Sequence, residues 1–236
     1  MIEIFELKDA LFHFDKIKTV MKKNNLLIIK NFIDSDFMNI RKQLLLFSDS
    51  EKEVIEPTNF KSSWHRYDVL PKKSVTKHIT HFYNFNLSKP YNLDFSLYFE
   101  LRIIFTKMLL IQNALAGTTA TLCNSYSKKN NDRPILRPQI IHYPKGGGSF
   151  DKHNHPYLPQ KYGLILLLSQ KNKDYMSGGT RVYIDNNVID TSEYANQGDL
   201  IIFKYDLPHD ITPCDPHEEL DFDRIDGRWT AILPFY

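Results

Sequence analysis

Between Leu136 and Pro234 the chain is a succession of short apolar runs separated by turn-forming residues, and no other feature limits its fold as strongly. The runs are Leu136 to Tyr143, Tyr162 to Ser169, Thr180 to Ile184, Asp199 to Phe203 and Trp229 to Pro234. Gly, Asn, Asp and Pro stand between them, as in an all-β sandwich or barrel. At 236 residues the chain can bury a sizeable core, and barrels of this length commonly stay undivided.

The first half reads differently. Apolar residues at helical spacing run through residues 8–22, and Leu26 to Ile29 reads as a short buried strand. Asp34 and Ser35 are N-cap candidates for a helix through Phe37, Ile40, Leu44 and Phe47. This opening is expected to flank the core rather than form it. Phe95 to Leu115, with a broad apolar face, is the strongest helix. Ser50 to Pro90, broken by Pro57, Pro71 and Pro90, reads as loops with short strands over a pocket. Within it Trp64, His65, Arg66 and Tyr67 suit either substrate contact or ordinary packing. His78 and His81 read as surface histidines. The expected organisation is a single domain over 1–236, with 1–125 mainly helical flank and loops and 134–236 the main β core.

Charge limits the partners. Thirty basic and 28 acidic residues leave a net charge of +2, and the short Lys128-Lys129 patch is no basic stripe, so no nucleic-acid partner is expected. Cys123 and Cys214, the only cysteines, are too few for a disulfide framework and fit a reducing compartment. The N-terminus lacks the order of a signal peptide, and the longest apolar runs are too short to span a bilayer. A cytoplasmic protein with no membrane association is expected.

The chemistry gathers around Gly146-Gly147-Gly148-Ser149-Phe150-Asp151-Lys152-His153-Asn154-His155. Residues i and i+2 of an extended strand point the same way, so His153 and His155 can reach one metal ion. His209, 209 − 155 = 54 residues on, is the best third ligand. Gly178-Gly179 and Gly198-Asp199 provide tight turns between the two ligand sites. Arg228 begins the last run with Thr230 on the same face, a guanidinium and hydroxyl suited to grip a carboxylate, although a solvated strand-end charge accounts for Arg228 equally well.

In order and type these features resemble the iron(II)- and 2-oxoglutarate-dependent dioxygenases. That family carries a His-x-Asp/Glu pair, a distal His and a downstream Arg with Ser or Thr two residues on. The matching positions are His153-Asn154-His155, His209 and Arg228-Trp229-Thr230. Flanking text agrees: Ile140-Ile141-His142-Tyr143-Pro144, then Gly198-Asp199-Leu200-Ile201-Ile202-Phe203 before Leu207-Pro208-His209. The resemblance covers roughly Gln139 to Phe235. It implies a mostly β protein with flanking helices and a double-stranded β-helix core of jelly-roll or cupin-like type. It further implies Fe(II) held by His153, His155 and His209, and 2-oxoglutarate as co-substrate gripped by Arg228 and Thr230. The implied reaction is attack on a substrate C–H bond, typically hydroxylation, coupled to decarboxylation of 2-oxoglutarate to succinate; the compact chain and the lack of a nucleic-acid surface make a small polar metabolite the expected substrate.

His155 departs from the pattern, standing where the family has a carboxylate. Three neutral imidazoles supply no negative charge, which should weaken iron binding. A working three-histidine site, a site in which His155 swings away, and an inactive fold all follow from it. A 2-oxoglutarate-independent three-histidine dioxygenase and a non-catalytic binding protein are the other readings of the same residues. Tyr143 is a candidate hydrogen-bond partner for the 2-oxoacid or a packed strand tyrosine, and Gln139 and His142 are weaker candidates on the same run. Asp151 lies on the wrong side of His153 to replace the missing carboxylate. Lys161 reads as solvated, and Asp215 to Asp226 as a solvated loop lengthening the path to Arg228.

Overall fold

Every residue of the run Tyr162 to Leu167 is buried, which requires apolar layers on both faces of its sheet. The computed structural model describes residues 2–8, 14–23, 25–46, 50–52, 64–69, 77–87, 93–122 and 135–235. Pro57, Pro71, Pro90, Cys123 and the segment around Lys128-Lys129 lie outside these.

In chain order the first strands and helices are β1 (Ile2–Glu6), α1 (Phe14–Lys23), β2 (Leu26–Lys30), α2 (Phe37–Leu45), β3 (Ser50–Lys52) and β4 (Trp64–Val69). Next come β5 (Lys77–His78), β6 (Thr80–Phe85), α3 (Phe95–Ala116), β7 (Thr121–Leu122) and β8 (Ile135–Leu136). The C-terminal half adds β9 (Gln139–Tyr143), β10 (Gly148–His153), β11 (Tyr162–Leu167), β12 (Thr180–Ile184) and β13 (Asn187–Asp190). It ends with β14 (Leu200–Lys204), β15 (His209–Cys214) and β16 (Arg228–Ile232).

A larger sheet has the order β1-β2-β14-β11-β16-β9-β6-β4-β3, and a smaller one β13-β12-β15-β10-β5. From β9 onward the chain alternates between them: β9, β11, β14 and β16 fall in the larger sheet, β10, β12, β13 and β15 in the smaller. This alternation makes a double-stranded β-helix, as the resemblance implied.

The side-chain period of two sorts each strand of the larger sheet into two cores. Leu164 and Leu166 of β11 pack with Trp229, Ala231 and Ile140 against the helices. Ile165 and Leu167 turn the other way, joining Val182, Ile201 and Phe203 of the core flanking the cavity. On the helical side α3 contributes Leu97, Leu101, Ile104, Phe105 and Met108, all essentially buried. Each such side chain contributes roughly 1.5–3 kcal/mol on burial. Asp94 caps α3, its carboxylate accepting from the backbone N–H groups of Ser96 and Leu97, and Gly117 ends it at φ +67°.

The N-terminal segments do more than flank. β2 pairs with β14 along Leu200↔Ile29 to Phe203↔Leu26, so it belongs to the sheet itself. Likewise Trp64–Val69 and Thr80–Phe85, read from sequence as loops with short strands, extend the sheet beyond β9. Lys161, expected in solvent, donates from Nζ to the carbonyl of Ala116 at 2.8 Å, satisfying the C-terminal end of α3.

Candidate metal centre

The glycine turn fixes where the first histidine goes. Gly146 and Gly147 have φ of +89° and +113°, conformations that side chains rarely adopt. A Cβ on Gly146 would also stand 2.7 Å from the Leu220 backbone. Their N–H groups donate to the carbonyls of Asp215 and Cys214 at 3.0 and 2.9 Å, tying the turn to the far end of β15. From there β10 and β15 run antiparallel, from Gly148 opposite Cys214 to His153 opposite His209. Two residues 56 apart (209 − 153) in sequence thus become cross-strand neighbours, with ring centroids 4.3 Å apart.

His155 follows the end of β10. Its backbone N–H donates to the Tyr205 carbonyl at 3.3 Å, and its ring stacks on the Tyr205 ring at 4.1 Å and 12°. One ligand-capable nitrogen from each of His153, His155 and His209 falls within 4.8 Å of the others.

The hydrogen bonds choose the tautomers. A carbonyl can only accept, so Nδ1 of His153 donates to the Asp151 carbonyl (2.7 Å) and Nδ1 of His209 to the Leu207 carbonyl (2.9 Å). The Nε2 lone pairs of both rings are thereby directed to a ligand. Burial, reinforced by His153 and His155, pushes His209 down to about 4, so it is neutral at physiological pH, as a metal ligand must be. These donors suit a divalent transition ion such as Fe(II).

Asp151 cannot serve as a fourth donor in this arrangement, because its carboxylate turns outward to meet Nε2 of His78 at 2.9 Å. His78 and His81 separate at Ile79, a residue with φ +50°, and enter different sheets. His78 remains half-exposed. His81, read from sequence as a surface residue, is fully buried, bonded to Asp68 and edge-on to Phe222.

A cavity of about 240 Å³ opens on the triad. Tyr143 and Thr230 line it, and Arg228 lies beyond them, opposite Tyr143 in the β9–β16 register. Gly227 makes that register possible: its φ is +114°, and a Cβ there would lie 2.5 Å from the Tyr143 carbonyl. Arg228 is 1% exposed, with its guanidinium 5.4 Å from the Tyr143 ring centre and Nη2 donating to the Thr180 hydroxyl. The Tyr175 phenol lies beside the guanidinium, and among the described residues its Nε and Nη1 have no hydrogen-bond partner of ordinary geometry. Either can donate to an anion that approaches it. Burial pushes the Tyr143 phenol up to about 12, keeping it a neutral hydrogen-bond donor.

Sequence reasoning missed several residues here. Thr180 orients Arg228; its position directly after Gly178-Gly179 was the available signal. Tyr205 backs His155, and Arg137, Gln160 and Phe82 line the cavity, Phe82 stacked (4.8 Å, 1°) on Tyr67, which the sequence did offer as a substrate contact. Gln139 lines it too and donates to Asn84. Asp215, expected in a solvated loop, is buried and accepts from the backbone of Met176 and Ser177.

His142 points away from the site. It stacks on Trp229 (4.0 Å, 11°) and His81 (5.2 Å, 13°), and its Nε2 donates to the Asp226 carbonyl. Burial holds its pKa well below 6.5. The unfolded chain therefore takes up a proton near pH 6.5 that the folded protein refuses, so stability is full above that pH and falls as the pH drops through it. His142→Phe keeps the stack and removes the titration. The fall in urea midpoint between about pH 7.5 and about pH 5 should shrink in this variant, and an unchanged fall would refute the assignment.

Sequence comparison finds no matching family model and no matching curated protein. Solved structures do match. A prolyl hydroxylase from Trichoplax adhaerens, solved with a hypoxia inducible factor peptide fragment, aligns over 98% of this chain and 91% of its own, with TM-score 0.58 and 12% identity. A Pseudomonas putida prolyl-4-hydroxylase aligns over 93% and 96%, with TM-score 0.56 and 12% identity. A 2OG-Fe(II) oxygenase family member from Burkholderia pseudomallei aligns over 94% and 89%, with TM-score 0.52 and 10% identity. At such identities the likeness is one of fold. The chain shares the fold of these hydroxylases and this oxygenase, and carries a cluster of three histidines in the cavity between its sheets.

Proposed function

We propose that this protein is an Fe(II)- and 2-oxoglutarate-dependent oxygenase of a small metabolite, with a metal held by His153, His155 and His209. The observation that carries the reading is Arg228: a buried guanidinium whose Nε and Nη1 have no hydrogen-bond partner among the described residues, opposite Tyr143 of the cavity on which three histidines converge. A three-histidine dioxygenase that does not use 2-oxoglutarate gives no reason for that buried charge.

In this reading His153, His155 and His209 hold the ion, and Arg228 receives the distal carboxylate of 2-oxoglutarate. Thr230 and Tyr143, both on the cavity wall, would add hydrogen bonds to it. When bound, the ferrous ion with its co-substrate supplies the oxidising chemistry. The chain's own part is to fix tautomers through the Asp151 and Leu207 carbonyls and to keep the co-substrate end dry. No helix among the described residues is long and apolar enough to cross a membrane, and a cytoplasmic location is part of the proposal.

The test is formation of succinate from 2-oxoglutarate by purified protein with Fe(II), ascorbate and oxygen, first alone and then with a metabolite extract. Succinate above a metal-free control is the expected result. Oxygen consumption without succinate would replace this reading with the 2-oxoglutarate-independent one.

A further inference from the structure

One cross-strand row of the larger sheet faces the cavity. Its register sets Thr230 opposite Ile141, Ile141 opposite Phe82 and Phe82 opposite Tyr67, and all four line the cavity. At about 4.8 Å per strand, the row leads on the order of 14 Å away from Thr230. On the smaller sheet Phe150 pairs with Ile211; Ile211 belongs to the apolar cluster of Tyr67, Phe82 and Ile141, and Phe150 packs against it. The apolar surface reaches the metal centre. The Phe150 ring lies 4.1 Å from that of His153, and Phe203 meets His209 edge-on at 4.8 Å. A guest approaching the triad along this row touches rings and branched aliphatic side chains.

The polar groups on the wall are already committed. Gln160 donates to the carbonyls of Tyr162 and Leu233 and accepts from the Phe235 N–H. Gln139 donates to Asn84, and Arg137 and Tyr67 are engaged in interactions of their own. Tyr143 and Thr230 go to the co-substrate in the oxygenase reading, and the three histidines to the ion. Neutral groups such as the phenol of Tyr205 remain, and no Asp or Glu is among the described residues that line the cavity. A cationic guest therefore finds no counter-charge and meets a metal ion of its own sign. An anionic or polyhydroxylated guest gives up its water without gaining partners. Size is limited as well. A cavity of about 150 Å³ accepts benzene, and this one, at about 240 Å³, has to hold the co-substrate too.

We infer that the substrate is a small, uncharged molecule with an apolar body about the size of one aromatic ring, held against Phe82, Ile141, Phe150 and Ile211. This rests on the oxygenase reading above, and it departs from the polar metabolite expected from the sequence. Recognition then comes from shape and from removal of apolar surface from water, with ring–ring contacts adding to it.

The experiment is titration calorimetry on the intact protein with Mn(II) in place of Fe(II), with saturating 2-oxoglutarate. The probes share one ring: 4-methylanisole is uncharged, 4-methoxybenzoate is an anion and 4-methoxybenzylamine a cation. Wild type should bind the uncharged probe at least about tenfold more tightly than either ion, because leaving a charge unpaired costs more than a tenfold change in affinity represents. Bound Mn(II) should also broaden the proton resonances of 4-methylanisole, and Zn(II) in its place should not, which puts the probe beside the triad. Phe82→Leu should weaken the uncharged probe about two- to tenfold, the scale of one ring–ring contact, and leave 2-oxoglutarate affinity within about twofold. Tighter binding of either ion, equal binding of all three, or no binding of 4-methylanisole overturns the inference. So does a bound probe that escapes broadening by Mn(II). These outcomes are read on wild type and stand even if Phe82→Leu fails to fold; unchanged probe affinity in a folded Phe82→Leu overturns it too. Wild type that binds no 2-oxoglutarate would instead refute the oxygenase reading, whichever probe it prefers.

Discussion

His209→Ala should remove iron binding and succinate formation while leaving the apo protein folded. His209 supplies one of three candidate ligands from a rigid strand, held in register with both His153 and Val182. Loss of an outer-shell partner alone costs about 10–100-fold in metal affinity, so loss of a ligand should cost on the order of a hundredfold or more. The fold does not need the ring. Among the described residues its ring makes one hydrogen bond, to the Leu207 carbonyl, and a neutral hydrogen bond contributes roughly 1 kcal/mol. Thermal melting separates the two effects. An ion that binds only the native state raises the melting temperature of wild type, and this rise should vanish in the variant while the metal-free curves stay close.

His155→Asp completes the argument. A carboxylate at this position gives the ion one negative charge, and iron affinity should rise by about tenfold or more if the side chain enters the coordination sphere. Stacked on Tyr205, with its N–H fixed by the Tyr205 carbonyl, the residue is already held toward the triad. Iron affinity unchanged in both His155→Asp and His155→Ala would exclude it from the metal site.

Much of this was legible in the sequence because it depends on local rules. The five C-terminal strand runs, the helix ending at Gly117 and the turn glycines all follow from periodicity and from backbone geometry that few residues adopt. The strands that escaped notice lack a period. Trp64–Val69 interleaves Trp64, Arg66 and Asp68 with His65, Tyr67 and Val69, polar and apolar on both faces; Arg66 bonds Asp68 on the same strand, and both meet His81 across the sheet. His81 looked like a surface residue for the same reason, since Asp68 and Phe222, which bury it, are distant in sequence. The three histidines could be named from their spacing. Their convergence depends on the β10–β15 register, which contains two irregularities that no sequence pattern indicates. Arg137 carried no motif at all; only the closing of the C-terminal wall over it makes it part of the cavity.

Arg228→Met should weaken 2-oxoglutarate binding by about 10–100-fold and leave the stability of the apo protein equal or improved. Both halves follow from the same unpartnered atoms. With Nε and Nη1 buried and unbonded, the guanidinium bears a desolvation penalty that only a bound anion relieves. A carboxylate accepting from either gives a charge-assisted bond of about 1.5–3 kcal/mol, which sets the expected loss of affinity. Without the anion the arginine is a burden. Replacing a buried charge by an apolar side chain of similar length is often neutral, or stabilising by about 1–4 kcal/mol. The hydroxyl of Thr180 loses its donor in the variant, which offsets part of that gain. A structural arginine predicts the reverse pattern, with marked destabilisation and no selective effect on the co-substrate. Urea unfolding of the apo proteins and 2-oxoglutarate titration in the presence of Mn(II) measure the two halves separately. Unchanged 2-oxoglutarate affinity in Arg228→Met, with Mn(II) binding intact, would remove Arg228 from the co-substrate site and with it the observation on which the proposed activity stands.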